Sequence, residues 1–130
     1  MLLWKKEEKS LGQIGEDAAA KYLKKKGYKI LERNYFNPLG RRLGEIDIVA
    51  EKEKEIIFVE VKTRVAKNYS DTLPEENINR SKLHKLNKIA VSYIRNKHLW
   101  NYPYHFDAIS VLYDEAEKKT QVRHLKNVFI

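Results

Sequence analysis

Residues 56–62, Ile-Ile-Phe-Val-Glu-Val-Lys, are a β-branched and aromatic run that reads as a central strand, yet it carries a glutamate and a lysine two positions apart. Side chains alternate along a strand, so Glu60 and Lys62 share one face while Val59 and Val61 take the other. Charges on a central strand are costly unless they are employed. Upstream, Glu45-Ile46-Asp47-Ile48-Val49 alternates strictly and reads as a second strand. The charged stretch from Glu51 to Glu55 that joins the two is too short for a crossover helix and long enough for a hairpin. Antiparallel pairing about a turn centred near Glu53 and Lys54 is therefore expected. Opposed residues share a face, so a register that sets Asp47 at or near Glu60 brings two carboxylates and one ammonium together. A slip of one residue would send the carboxylates to opposite faces.

The rest of the chain supplies the other elements. Leu11, Ile14, Ala18, Tyr22 and Leu23 recur at helical spacing and predict a helix over 11–26, started by Ser10 and stopped by Gly27. Gly12 and Gly15 lie in its opening turns, which implies that something approaches the backbone closely there. Residues 28–35 read as a strand, 37–42 as a turn and 66–79 as a long loop. Leu83, Leu86, Ile89, Ala90, Tyr93 and Ile94 mark an amphipathic helix ending near Lys97, and 105–113 and 121–129 are strand-like. The order is αβββαββ, an α/β chain whose first three strands form a meander. No repeat, low-complexity tract or linker interrupts it, so 1–130 is read as a single domain with 1–9 as a mobile N-terminal segment.

Twenty-six Lys and Arg against 18 Asp and Glu give a net charge of +8, a field that favours polyanions, nucleic acid first, although basic charge also serves plain solubility. The absence of cysteine excludes disulfides, thiolate zinc sites and cysteine nucleophiles, and suits a reducing cytoplasm. Apolar runs are too short for a spanning helix, and the N-terminus turns charged too early for a signal peptide, so no membrane is expected as partner. His84, His98, His105 and His124 are scattered and read as packing or surface groups; Asp107 is either a secondary acid or the polar start of a strand.

Two carboxylates as close as Asp47 and Glu60 repel one another, and either share a proton or bind a cation; their oxygen donors favour Mg²⁺ or Mn²⁺. Such an ion beside a lysine that orients water or neutralises developing charge is the chemistry of phosphodiester hydrolysis. An ordinary charge pair on an exposed sheet face is the alternative. Glu16 is a third acidic candidate, although a glutamate in a first helical turn is favoured by the dipole in any case. On the second helix Lys82, Lys85, Lys88 and Arg95 form a basic stripe that suits phosphate contact or a solvated face. Arg41 and Arg42 before Asp47, and Arg64 after Lys62, flank the carboxylates and suit a grip on a nucleic-acid backbone. No base-reading motif is present, which points to recognition by shape.

The segments Gly12-Gln13-Ile14-Gly15-Glu16-Asp17-Ala18-Ala19, Arg33-Asn34-Tyr35, Gly44-Glu45-Ile46-Asp47-Ile48-Val49-Ala50 and Phe58-Val59-Glu60-Val61-Lys62-Thr63-Arg64 resemble the YraN-like family. That family of small bacterial proteins is similar to archaeal Holliday junction resolvases and is placed by fold in the PD-(D/E)xK endonuclease superfamily. The resemblance implies a restriction-endonuclease-like core, with a mixed central sheet flanked by helices. It also implies Asp47 and Glu60 as metal ligands, Lys62 as the catalytic lysine and Glu16 as a helix-borne acid supporting the metal. Ile46 stands where the motif's name has proline. The implied function is a metal-dependent endonuclease acting on branched or structured DNA, in preference to RNA, with a two-fold homodimer as the expected assembly. The alternative is a non-catalytic nucleic-acid-binding accessory module of DNA repair or recombination.

Overall fold

The structure, a computed structural model, describes residues 9–37, 44–66 and 80–128. Most of the N-terminal segment, the expected contacts of Arg41 and Arg42, and nearly all of the loop expected over 66–79 lie outside the described residues. The elements are α1 (Leu11–Lys25), β1 (Lys29–Phe36), β2 (Glu45–Lys52), β3 (Glu55–Val65), α2 (Arg80–Asn96), β4 (Tyr104–Asp114) and β5 (Lys119–Leu125). They form one five-stranded mixed sheet in the order β1-β2-β3-β4-β5. Only β3 and β4 run parallel, because the segment carrying α2 brings the chain back level with the start of β3; every other neighbouring pair is antiparallel.

Side-chain alternation divides the core into two layers. Ile48, Ala50, Ile57, Val59, Val61, Ile109 and Val111 pack beneath Ala19, Ala20 and Leu23 of α1. On the other face Val49, Ile56, Phe58 and Phe106 pack beneath Leu83, Leu86, Ile89, Ala90 and Tyr93 of α2. The helices thus enclose the sheet between them, and no helix among the described residues is long and apolar enough to cross a membrane.

Helix α1 is bounded by side-chain chemistry at both ends. Ser10 and Gln13 form a reciprocal capping box. At the other end Gly27 adopts φ +91°, and the Tyr28 N–H donates to the Leu23 carbonyl at 2.9 Å while the Gly27 N–H donates to Lys24 at 3.1 Å, a Schellman closure. Its buried face differs from the one expected from sequence. Gly15, Ala19, Ala20 and Leu23 are buried, whereas Leu11 is exposed and Ala18 and Tyr22 are only partly covered. Small side chains let the helix backbone come close to the sheet, and that proximity outweighs the larger apolar residues. Strand β5 also departs from expectation, ending at Leu125 rather than continuing to 129. Beyond it Asn127 has φ +55°, and its N–H donates to the Asp107 carboxylate instead of to a ladder partner.

Candidate active site

The hairpin between β2 and β3 sets the geometry. Lys52 pairs with Glu55, and the two residues between them, Glu53 and Lys54, have φ of 51° and 62°. Positive φ at both central positions is a type I′ turn, whose twist matches the flanking strands and fixes their register. The ladder then runs through Ala50↔Ile57 and Val49↔Phe58 to Ile48↔Val59. Continued by one step, this register sets Asp47 opposite Glu60, on the face covered by α2. There the Asp47 side chain takes over from backbone pairing: its Oδ2 accepts from the Val61 N–H at 2.7 Å.

Two lysines converge on the carboxylates. Lys82 of α2 places Nζ 2.5 Å from Glu60 Oε1, and Lys62 Nζ stands 3.9 Å from the same oxygen. Asp47, Glu60 and Lys82, with Gly44, Glu45, Lys85 and Leu86, line an open cleft of about 400 Å³ between β2, β3 and α2. Burial, and then the negative charge of Glu60, push the Asp47 carboxyl up to about 7. The Lys62 ammonium is shifted the other way, below its ordinary value, by its hydrogen bond with Lys82 and by burial. Burial also opposes the charge on Lys82, but hydrogen bonds to Glu60 and Lys62 outweigh it and hold its pKa above the usual value. The pair is thus polarised, with Lys82 the charged donor and Lys62 the amine readier to give up its proton.

Glu16 stands outside the lining of this cleft. Its carboxylate hydrogen-bonds the Asn34 side chain and lies 3.7 Å from Arg33 Nη2, while burial raises its pKa. It reaches Asp47 through its charge, which adds to the upward shift there. The neighbouring Asp17 is bound by Lys9 at 2.6 Å and Arg33 at 2.8 Å. Helix α1 is seated by Gly15, where an added Cβ would stand 1.7 Å from Thr63 Oγ1 and 2.7 Å from Thr63 Cβ. Gly15→Ala is therefore expected to cost about 1–3 kcal/mol in a denaturant titration. Thr63→Ala in the same chain should recover part of that loss; full additivity of the two changes would show that the contact is not the cause.

Sequence spacing brought Asp47, Glu60 and Lys62 to one place but assigned Lys82 to an outward phosphate-binding stripe. The structure corrects this: Lys82 turns inward to Glu60, because its position beside Leu83 and Leu86 puts it at the edge of the buried face of α2. Lys85 lines the cleft mouth, Lys88 is exposed further along, and Arg64 lies on the same strand face as Glu60 and Lys62. Among the described residues no three His, Asp or Glu side chains form a ready-made metal cage. Asp47 and Glu60 offer two hard oxygen donors, the number that Mg²⁺ commonly takes from protein when water and substrate phosphate supply the remainder.

A second polar cluster was not anticipated. Asp107, fully buried on β4, accepts from the Asn127 N–H at 3.0 Å and lies 2.7 Å from His124 Nε2 and 3.0 Å from His105 Nε2. His124 Nδ1 in turn meets the Tyr22 hydroxyl at 3.0 Å. His105 Nδ1 is 3.2 Å from Glu55 Oε2, too poorly aligned for a hydrogen bond. The sequence placed His105 and Asp107 two apart on one strand, and only the β4–β5 register, which sets His124 opposite Ile109, brings His124 beside Asp107 on the same face.

A family model described as "Uncharacterised protein family UPF0102" matches residues 15–111, the stretch that runs from Gly15 through the β2–β3 hairpin to β4. The chain belongs to the UPF0102 family. This is the YraN-like family that the sequence motifs indicated. A UPF0102 protein of Syntrophomonas wolfei is 40% identical over 93% of this chain and 98% of its own length. Another, from Caldanaerobacter subterraneus subsp. tengcongensis, is 43% identical over 96% of this chain and 98% of its own length. Among solved structures, an fdxN element excision controlling factor protein from Anabaena variabilis aligns over 88% of this chain and 99% of its own, with 12% identity and a TM-score of 0.39. That likeness is too distant to carry a role across.

Proposed function

We propose that this UPF0102 protein is a metal-dependent endonuclease with a PD-(D/E)xK-type site, hydrolysing phosphodiesters in branched or structured DNA. The observation that carries the reading is the convergence of Asp47, Glu60 and Lys82 at one cleft, with Lys62 Nζ 3.9 Å from Glu60 on the same strand face, in a chain with net charge +8. Asp47 is raised first by burial and then by the charge of Glu60, and a divalent ion held between the two carboxylates would offset both the desolvation and the repulsion. Held by Asp47 and Glu60, Mg²⁺ or Mn²⁺ would supply Lewis-acid polarisation of the scissile phosphate. The chain's own groups do the rest. Lys62 orients the attacking water and neutralises charge developing beside Glu60. Lys82 holds Glu60 in place and balances charge developing on the phosphate. Glu16 keeps the local field negative from α1, and its contacts to Arg33 and Asn34 tie β1 to the site.

A non-catalytic DNA-binding accessory is the second reading, favoured by the Lys82–Glu60 ion pair, which neutralises one donor without a metal. Cleavage of labelled duplex, single strand, flap, four-way junction and structured RNA with Mg²⁺ or Mn²⁺ separates the two. The nuclease reading requires cutting that Lys62→Ala reduces by at least ~10²-fold at saturating DNA. Salt-dependent binding without cutting under any of these conditions selects the accessory module.

A further inference from the structure

Helix α2 covers only part of its side of the sheet. Beyond Glu60, this face is formed by Lys62 and Arg64 on β3, Ser110 and Leu112 on β4, and Gln121, Arg123 and Leu125 on β5. The parallel and antiparallel registers combine into rows: Glu60–Ala108–Leu125, then Lys62–Ser110–Arg123, then Arg64–Leu112–Gln121. Gln121, Arg123 and Leu125 are all exposed, whereas Val122 and His124, which point to the other face, are partly covered. Leu112 and Leu125 are exposed apolar residues on this face, at 37% and 39%, while Ser110 between Lys62 and Arg123 is buried at 7%. Acid is confined to its two ends, with Glu60 in the cleft and Asp114 at the β4–β5 turn, where it is occupied by the N–H groups of Ala116 and Glu117. Among the described strand positions, the rows between carry cations and no carboxylate.

We propose that this face is a docking track for the sugar–phosphate backbone of DNA, leading from the cleft to the free edge of β5, with Lys62, Arg64 and Arg123 as its phosphate contacts. The proposal names the surface by which the endonuclease reading would hold its substrate, and so rests on that reading for its direction. Charge complementarity selects the occupant. The cations sit about 7 Å apart along β3 and about 10 Å apart across two strand spacings, and they are attached to a rigid sheet rather than to a tail. Positive side chains fixed at such spacing suit a chain of regularly repeated negative charges, and the exposed leucines between them suit sugar or base surfaces. Arg123 is the diagnostic residue, since it is two strands removed from the carboxylates and belongs to the track without belonging to the cleft.

The test is DNA binding in EDTA, measured by anisotropy of a labelled four-way junction and a labelled single strand over a range of salt. It compares wild type, Arg123→Glu, Arg123→Gln and, as an equal charge change on the exposed C-terminal turn of α1, Lys24→Glu. Arg123→Glu is expected to weaken binding by at least ~10-fold, and both Arg123 variants to lower the salt slope by about 1, while Lys24→Glu leaves the slope unchanged. Melting curves identify any loss caused by misfolding, and Arg123→Gln supplies the reading if Arg123→Glu is unstable. Equal effects of Arg123→Glu and Lys24→Glu would reduce the track to the overall field of the protein and overturn it, as would no effect of either Arg123 variant. The two proposals fail separately: cutting that is indifferent to Arg123 leaves the nuclease without the track, and Arg123-dependent binding without cutting leaves the track without the nuclease.

Discussion

Asp47→Asn is expected to abolish metal-dependent cleavage and, at about pH 8, to make the protein more stable than the wild type. The activity loss, at least ~10²-fold, follows from removing a carboxylate donor from a site that has two. The gain in stability follows from the same burial that raises the Asp47 carboxyl from 3.8 to about 7. Because the folded chain binds that proton more tightly than the unfolded chain, the contribution of Asp47 is fully present below about pH 4 and is lost as pH rises through about 7. Above that range the wild type carries a buried charge facing Glu60, whereas asparagine is neutral and its amide oxygen can still accept from the Val61 N–H. A difference of up to about 4 kcal/mol, or about 10 °C in the melting midpoint, is expected, shrinking to nothing below about pH 4. Added Mn²⁺ should raise the wild-type midpoint at the alkaline end and leave the variant unmoved. A wild type that melts with the variant across the whole pH range would show that Asp47 feels no such field, and would remove the main electrostatic support for a cation.

Asp107→Ala should cost about 3–5 kcal/mol of folding free energy without touching the cleft. Three groups depend on this carboxylate: His124 Nε2, His105 Nε2 and the Asn127 N–H. The His124 side chain is only 4% exposed, so its donor would find no water in place of the lost partner. The contacts tie α1 through Tyr22, β5 through His124 and the segment after β5 through Asn127 to a single buried point. Urea titration should therefore show a lower midpoint, together with faster amide exchange at Asn127 and Val128. A loss under 1 kcal/mol would mean that the cluster rearranges at little cost.

The sequence carried the local geometry well. Period-2 alternation at 45–49 and 56–62, with a linker too short for anything but a hairpin, put Glu60 and Lys62 on one face and made the meeting of Asp47 with Glu60 depend on register, which the type I′ turn at Glu53 and Lys54 supplies. Contacts between distant elements were less legible. Lys82 read as one lysine in a stripe because helical spacing does not say which flank of the stripe meets a neighbouring strand. Asp107, His105 and His124 read as unrelated because their meeting depends on β4 lying beside β5 and on where β5 stops. The glycines of α1 did signal a close approach, which Gly15 makes to Thr63 while Gly12 meets nothing nearer than 3.9 Å, but apolar periodicity rewards bulk and so displaced the expected buried face.

The single parallel junction between β3 and β4 has a further consequence, in the order of assembly. Asp47, Glu60 and Lys62 lie on one hairpin, which closes through short-range contacts on the microsecond scale. Pairing β4 with β3 must first close the chain over residues 66–103, a longer and entropically slower step. Lys82 lies inside that span. The hairpin thus brings Asp47, Glu60 and Lys62 together by local contacts, whereas the Lys82–Glu60 ion pair waits on closure of the crossover.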